Sequence, residues 1–148
     1  MEVIDKSVYP VDYYDAHFNI AMDKPVNFKL LEEFCNIKNS ECISLDLYEN
    51  DGDILDQWGC EKSEPIQEFL DKCKEANIGI KEPLYWDLYI TIKENNREYE
   101  ANIGFDGVTE MGKNCIYLNM ESDMSSIERV LSTIEKIDKK DNVIKVVK

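Results

Sequence analysis

Apolar and polar residues alternate along much of this chain, and the period switches several times between two and the helical value of about 3.6. Residues Asp15–Asp23 alternate with period two. Ala16, Phe18, Ile20 and Met22 point one way and His17, Asn19 and Ala21 the other, which predicts a half-buried strand. The Tyr-rich lead-in from Val8 to Tyr14 carries no clear element of its own. Asn27 is placed to cap a helix with its side-chain oxygen. Phe28, Leu31, Phe34 and Cys35 form that helix's buried stripe, and it stops near Asn39. Cys42–Tyr48 returns to period two, with Ile43, Leu45 and Leu47 inward. A loop, Glu49-Asn-Asp-Gly-Asp, follows, and Ile54 to Glu61 fits neither period. Ser63 caps a second predicted helix whose first turn tolerates Pro65. Ile66, Phe69, Leu70 and Cys73 fall at core spacing there, and Asn77 and Gly79 terminate it.

The centre of the chain has the cleanest pattern. Leu84, Trp86, Leu88, Ile90 and Ile92 alternate with Tyr85, Asp87, Tyr89, Thr91 and Lys93. Asn95-Asn96 supplies the positive φ angles of a tight hairpin turn. The return strand, Glu98–Phe105, sets Tyr99, Ala101, Ile103 and Phe105 against Glu98, Glu100 and Asn102. After a turn at Asp106-Gly107, a further strand runs through Cys115–Met120 with Ile116, Leu118 and Met120 on one side. Ser125-Ser-Ile-Glu128 reads as a capping box, with Ser122 and Asp123 as alternative caps. The helix it opens buries Met124, Ile127, Val130, Leu131 and Ile134. A last short strand is expected over Val143–Val147.

The expected order is therefore β-α-β-α-β-β-β-α-β. Strands with one apolar and one polar face suit an α+β fold, a mostly antiparallel sheet with helices packed on one face. A doubly wound parallel sheet needs continuous apolar strands, which are absent. With 148 residues and no repeat, low-complexity tract or linker, a single domain spanning 1–148 is expected.

Charge changes the picture more than any other total. The formal net charge is −14, from 31 acidic and 17 basic residues. That excess argues against unaided nucleic-acid binding, which depends on Lys and Arg displacing counterions, and against docking on anionic membranes. It favours basic partners, acting mainly on encounter rate and selectivity. Solubility alone is the plainer explanation of the same charge. Cys35, Cys42, Cys60, Cys73 and Cys115 form an odd set without a CxxC pair. The start, Met1-Glu-Val-Ile-Asp-Lys, has no basic or apolar leader run, and no apolar run approaches the ~20 residues of a membrane span. Free thiols and a cytoplasmic location are the expectation.

Motifs for chemistry are missing. His17 is the only histidine, so a Cys–His or Ser–His scheme must run through it, and no nucleophile stands out as its partner. Zinc spacing is absent. Aligning Gly52 with the sixth position of a calcium loop puts Leu47 at the first ligand position and Trp58 at the twelfth, so that pattern fails at both ends. Neither a GxxxxGK[ST] loop nor a GxGxxG turn occurs. No catalytic residue, metal or cofactor is expected, and an enzyme is not indicated.

What remains is a surface. Between Glu41 and Glu68 there are nine acidic residues and one basic, Lys62, with Tyr48 and Trp58 set among them. Aromatic anchors in a charged surround are characteristic of interfaces. The polar face of the central hairpin adds Tyr85, Asp87, Tyr89, Glu100 and Asn102, with Tyr117 and Asn119 from the next strand. Cross-strand tyrosines also serve simply to stabilise an exposed sheet. The expected partner-binding residues are Asp46, Tyr48, Glu49, Asp51, Asp53, Asp56, Trp58, Tyr85, Asp87 and Tyr89. Lys139, Lys140, Lys145 and Lys148 reverse the sign at the C-terminal end. The pattern points to a binding protein that occludes a basic protein partner, in the manner of a toxin-immunity protein. Two alternatives stand beside it. One is a phage-type inhibitor of a nucleic-acid-handling complex, using carboxylates in place of phosphates. The other is a small-molecule-binding enzyme with a cleft at His17, which requires a carboxylate or cysteine within reach of that ring.

Overall fold

The computed structural model of the protein describes residues 1–10, 14–48, 54–59, 64–77, 85–94, 96–105 and 114–147. In chain order the elements are β1 (Glu2–Pro10), β2 (Tyr14–Ala21), α1 (Phe28–Cys35), β3 (Ser40–Tyr48), β4 (Ile54–Gly59) and α2 (Ile66–Glu75). They continue with β5 (Tyr85–Glu94), β6 (Arg97–Phe105), β7 (Cys115–Ser122) and α3 (Met124–Val147). The strands form one seven-stranded sheet, order β1-β2-β7-β6-β5-β3-β4, in which every neighbouring pair is antiparallel. The fold is α+β, as the alternation implies.

Three local expectations are corrected. The chain's start forms the edge strand β1. Its alternation is hidden in the sequence by a bulge between Val3 and Asp5, which puts one extra residue, Ile4, against β2. The unassigned stretch after residue 53 contains the opposite edge, β4, also irregular where it meets Tyr48. Bulged edges discourage pairing with other chains. The strand expected over Val143–Val147 does not exist, because α3 runs through it. No proline or glycine stands between Met124 and Val147 to stop the helix.

Alternation sorts each strand's side chains into two sets. Ala16, Phe18 and Ile20 of β2, Ile116, Leu118 and Met120 of β7, Ala101 and Ile103 of β6, Trp86, Leu88 and Ile90 of β5 and Leu45 and Leu47 of β3 are all buried. They meet the buried stripes of the helices, Leu30, Leu31 and Phe34 from α1, Phe69, Leu70 and Cys73 from α2, and Ile127, Val130 and Ile134 from α3, in one core. The Phe34 and Trp86 rings lie 5.8 Å apart between the layers. Asn27 caps α1, its side chain accepting from the Leu30 amide at 3.1 Å. Ser63 lies outside the described residues, as does the turn at Asp106-Gly107. For α3 the cap is Asp123, whose carboxylate accepts from the Ser126 amide at 2.8 Å. Hydrogen bonds from Ser126, with help from Ser125 and Arg97, hold this carboxyl below its ordinary pKa. The cap is therefore in place at neutral pH and is lost as the pH falls through that depressed value. Asn39, Asn77 and Asn96 take left-handed conformations (φ 61°, 57° and 63°) just before β3, after α2 and in the β5–β6 turn. Asparagine tolerates that region better than other side chains do. Cys35, Cys42 and Cys73 are buried, and the described cysteines form no disulfide. Among the described residues no helix is long and apolar enough to cross a membrane.

One polar residue occupies a core position of α3. Asp138 follows Ile127, Val130 and Ile134 at helical spacing and is 1% exposed. Its carboxylate accepts from the backbone amides of Asp23 and Lys24, both at 2.8 Å, and lies 3.0 Å from the Met1 nitrogen. Asp138 thereby holds the segment between β2 and α1 against α3 through that segment's backbone amides. Replacing Asp138 with Ala should lower the unfolding free energy by about 3–5 kcal/mol in chemical denaturation, the scale of a broken buried charged network. A loss under about 1 kcal/mol would mean that water takes over the role.

Candidate functional site

The three described helices pack on one face of the sheet, and the opposite face carries most of the polar residues of β2, β7, β6, β5 and β3. Antiparallel register lines these residues up in rows across the strands. One row reads Ser7, His17, Asn119, Asn102, Tyr89 and Ser44 from β1 to β3. The next reads Asp5, Asn19, Tyr117, Gly104, Asp87, Asp46 and Gln57, crossing all seven strands. On the far side of the first row, Asp15 pairs with Glu121, and Thr91 stands between Glu100 and Glu41. Carboxylates dominate the face, and Lys93, opposite Glu98, is a local exception.

The middle of the second row is electrostatically unusual. Asp46 and Asp87 are directly opposite each other on β3 and β5, and like charges in that position repel. Each carboxylate is provided with donors. Asp87 accepts from the Tyr117 hydroxyl at 2.7 Å and from the Asn102 amide. Asp46 accepts from the Gln57 amide at 2.9 Å and the Tyr48 hydroxyl at 3.3 Å. The phenols feel the charge in return. Asp87 raises the Tyr89 pKa above its ordinary value, with burial and Asp46 adding to it, while burial and then Asp46 raise that of Tyr48. Both phenols remain protonated donors at neutral pH.

Tyr117 reaches Asp87 by crossing over β6, and it does so above Gly104. A Cβ on Gly104 would lie 2.1 Å from the ring carbon and the hydroxyl oxygen of Tyr117. The glycine is there because a ring passes over its backbone, one of the few reasons a strand interior takes glycine. From Asp87 the polar chain continues sideways. Asn102 donates to Asp87 and to the Leu88 carbonyl, Asn119 donates to Asn102 at 3.2 Å, and His17 Nδ1 lies 2.7 Å from the Asn119 oxygen. His17 Nε2 is 3.1 Å from Asp15. A concavity of about 1090 Å³ spans this edge of the sheet, lined by Asp15, His17, Tyr89, Asn102, Asn119 and Glu121 and also by Arg97, Met120, Asp123 and Ser126 from the helix-bearing side.

The chain matches none of the protein-family models, curated proteins or solved structures compared with it.

The residues expected to bind are divided by the structure. Asp46, Tyr48, Asp87 and Tyr89 come together on the open face, with Tyr89 the most exposed large aromatic there at 40%. Trp58 does not join them. It pairs with Leu45 on the helix side, is buried, and donates its indole N–H to the Glu64 carbonyl at 3.1 Å. Burial removes it as an exposed anchor. Asp56 is opposite Leu47 at the sheet's edge and so also belongs to the helix side. Tyr85 is half-buried, its ring 5.7 Å from that of Phe105 and packed against the core. Glu49, Asp51 and Asp53 lie outside the described residues. Among the described residues no three His, Cys, Asp or Glu side chains are grouped to hold a metal ion. Gln57, Gly104 and Asp15 escaped sequence reasoning. A glycine at an outward position of a clean alternating strand was the available signal for Gly104. Gln57 and Asp15 needed the register.

Gly104→Ala should displace the Tyr117 ring and destabilise the protein by about 1–3 kcal/mol, as overpacking does, whereas Tyr117→Phe, which keeps the ring, should cost about 1 kcal/mol. Denaturation of the two variants checks this order, and a silent Gly104→Ala would mean that the ring has another path.

Proposed function

We propose that this chain is a cytoplasmic binding protein that neutralises a basic protein partner by occlusion, in the manner of a toxin-immunity protein, and that the open sheet face is its working surface. The observation that carries the reading is the opposed Asp46–Asp87 pair, set among tyrosines on a face that no described helix covers. A lysine or arginine side chain entering between the two carboxylates relieves their repulsion and gains charge-assisted hydrogen bonds. The phenols of Tyr48, Tyr89 and Tyr117 add rigid amphipathic contact area at little entropic cost. The surrounding acidic rows steer such a partner toward the face. Nothing in this scheme requires a bond to be made or broken.

The nucleic-acid-mimic reading uses the same surface, and the extent of the polar rows across seven strands favours it as the second choice. A mimic meets a channel built for phosphates, so its partner would also bind nucleic acid in competition. The enzyme reading required a carboxylate near His17, and Asp15 is one. That requirement is met, since His17 and Asp15 line one concavity; what ranks the reading last is that the ring's described partners, Asp15 and Asn119, include no thiol or hydroxyl for the imidazole to activate.

A tagged pull-down from the native host at low and moderate salt should retain one basic protein in stoichiometric amount. Asp46→Lys should slow its association tenfold or more and flatten the salt dependence, while Asp56→Lys on the helix side should leave both nearly unchanged. Equal effects of the two reversals would remove the open face from the interface.

Tyr89→Ala should weaken the complex by about tenfold or more with little change in melting temperature. A large fall in melting temperature with affinity intact would make Tyr89 a sheet-stabilising residue instead.

A further inference from the structure

The hydrogen-bond chain from Asp87 to His17 has a direction, and the direction decides which ring nitrogen carries the proton. Asn102 faces two acceptors that cannot donate, the Asp87 carboxylate and the Leu88 carbonyl, so its NH₂ must point at them. Its oxygen is then left for Asn119, which must supply NH₂ in turn. Asn119 therefore presents its oxygen to His17, 2.7 Å away, and only an Nδ1–H can meet it. In the neutral ring the lone pair consequently sits on Nε2. Nε2 is then an acceptor, and a second acceptor, Asp15 Oδ1, lies 3.1 Å from it. The His17 side chain is 47% exposed and Asp15 37%, so the pair opens onto the concavity.

We propose that Asp15 Oδ1 and His17 Nε2 form a subsite for a cationic N–H donor, the guanidinium or ammonium group of a basic side chain. Two acceptors at that separation are matched by adjacent N–H groups of one guanidinium, one donated to the imidazole and one to the carboxylate. Glu121, opposite Asp15 on β7, adds charge of the same sign. Asn119, Asn102 and Asp87 are positioning residues, because they set the tautomer without touching the cation. The subsite rests on the reading of the open face as a cation-receiving surface. It places a second point of attachment beside the Asp46–Asp87 pair and links the two through Asn102 and Asn119. One polar network would then serve both anchoring points, so that a partner engaging one finds the other already oriented.

The single histidine makes the test direct. In alkaline buffer with the imidazole neutral, ¹⁵N NMR of the full chain should show the Nδ1–H tautomer, and Asn119→Ala should release the ring to the commoner Nε2–H form. Titration with arginine amide at low ionic strength should shift the Nε2 resonance, and Asp15→Asn should weaken that response about tenfold, the loss of one charged hydrogen bond. Tetramethylammonium, which has charge but no N–H, should produce little shift. An Nε2–H tautomer in the unmodified chain, or equal responses to the two cations, overturns the subsite. So does a captured basic partner that binds fully without moving the His17 resonances, and that outcome leaves the proposed function standing. A response to arginine amide with no partner captured supports the subsite and counts against occlusion of a protein.

Discussion

An antiparallel sheet has two faces, and side chains must be assigned to them strand by strand with a period of two. In this protein the three described helices lie on one face, so the five inner strands, β2, β7, β6, β5 and β3, have to present their apolar sets to that same side. A slip of one residue in any pairing would bury a row of carboxylates and expose a row of leucines and isoleucines. The consistent burial of Phe18, Leu118, Ile103, Leu88 and Leu45, consecutive partners across five strands, is that requirement met. Much else follows from it, including the rows of polar residues on the other side.

The open face illustrates what a sheet does with polar groups that it cannot bury. Carboxylates brought together by register repel, and the structure answers by surrounding them with neutral donors. Tyr117, Asn102, Gln57 and Tyr48 all turn toward Asp46 or Asp87. Such donors lower the energy of each carboxylate without cancelling its charge, so the field outside the face remains negative. On the proposed reading, such a surface is pre-organised for a cation, since its donors and acceptors need little rearrangement when one arrives. Asp138 is the contrasting case. It is buried, and amides together with the Met1 nitrogen satisfy it, so it ties α3 to the segment after β2 and leaves nothing for a partner.

Legibility followed local pattern strength. The strands over β2, β5, β6 and β7 were readable because their alternation is uninterrupted, and Asn27 and Asn96 were readable because caps and tight turns select few residue types. β1 was hidden by its bulge. β4 was hidden because six residues, with Asp56 turned inward at the edge, do not make a clean alternation. The Val-rich stretch 143–147 has strand-like composition, yet a helix already under way with no breaker simply continues through it. Trp58 was misplaced for a related reason. Acidic neighbours in sequence suggested an exposed surface, whereas its register partner, Leu45, places the ring under the helices.

The amino-acid sequence by itself determined the class of fold, the antiparallel character of the sheet, the apolar face of each regular strand and the acidic sign of the whole, since each depends on neighbours in the chain or on a simple sum. Tertiary structure alone decided that Asp46 meets Asp87, that Tyr117 crosses Gly104 to reach Asp87, and that a line of amides joins Asp87 to His17 and Asp15. Those contacts join residues on strands far apart in sequence, and their partners are set by pairing register, a property of two strands together that neither strand's own pattern contains.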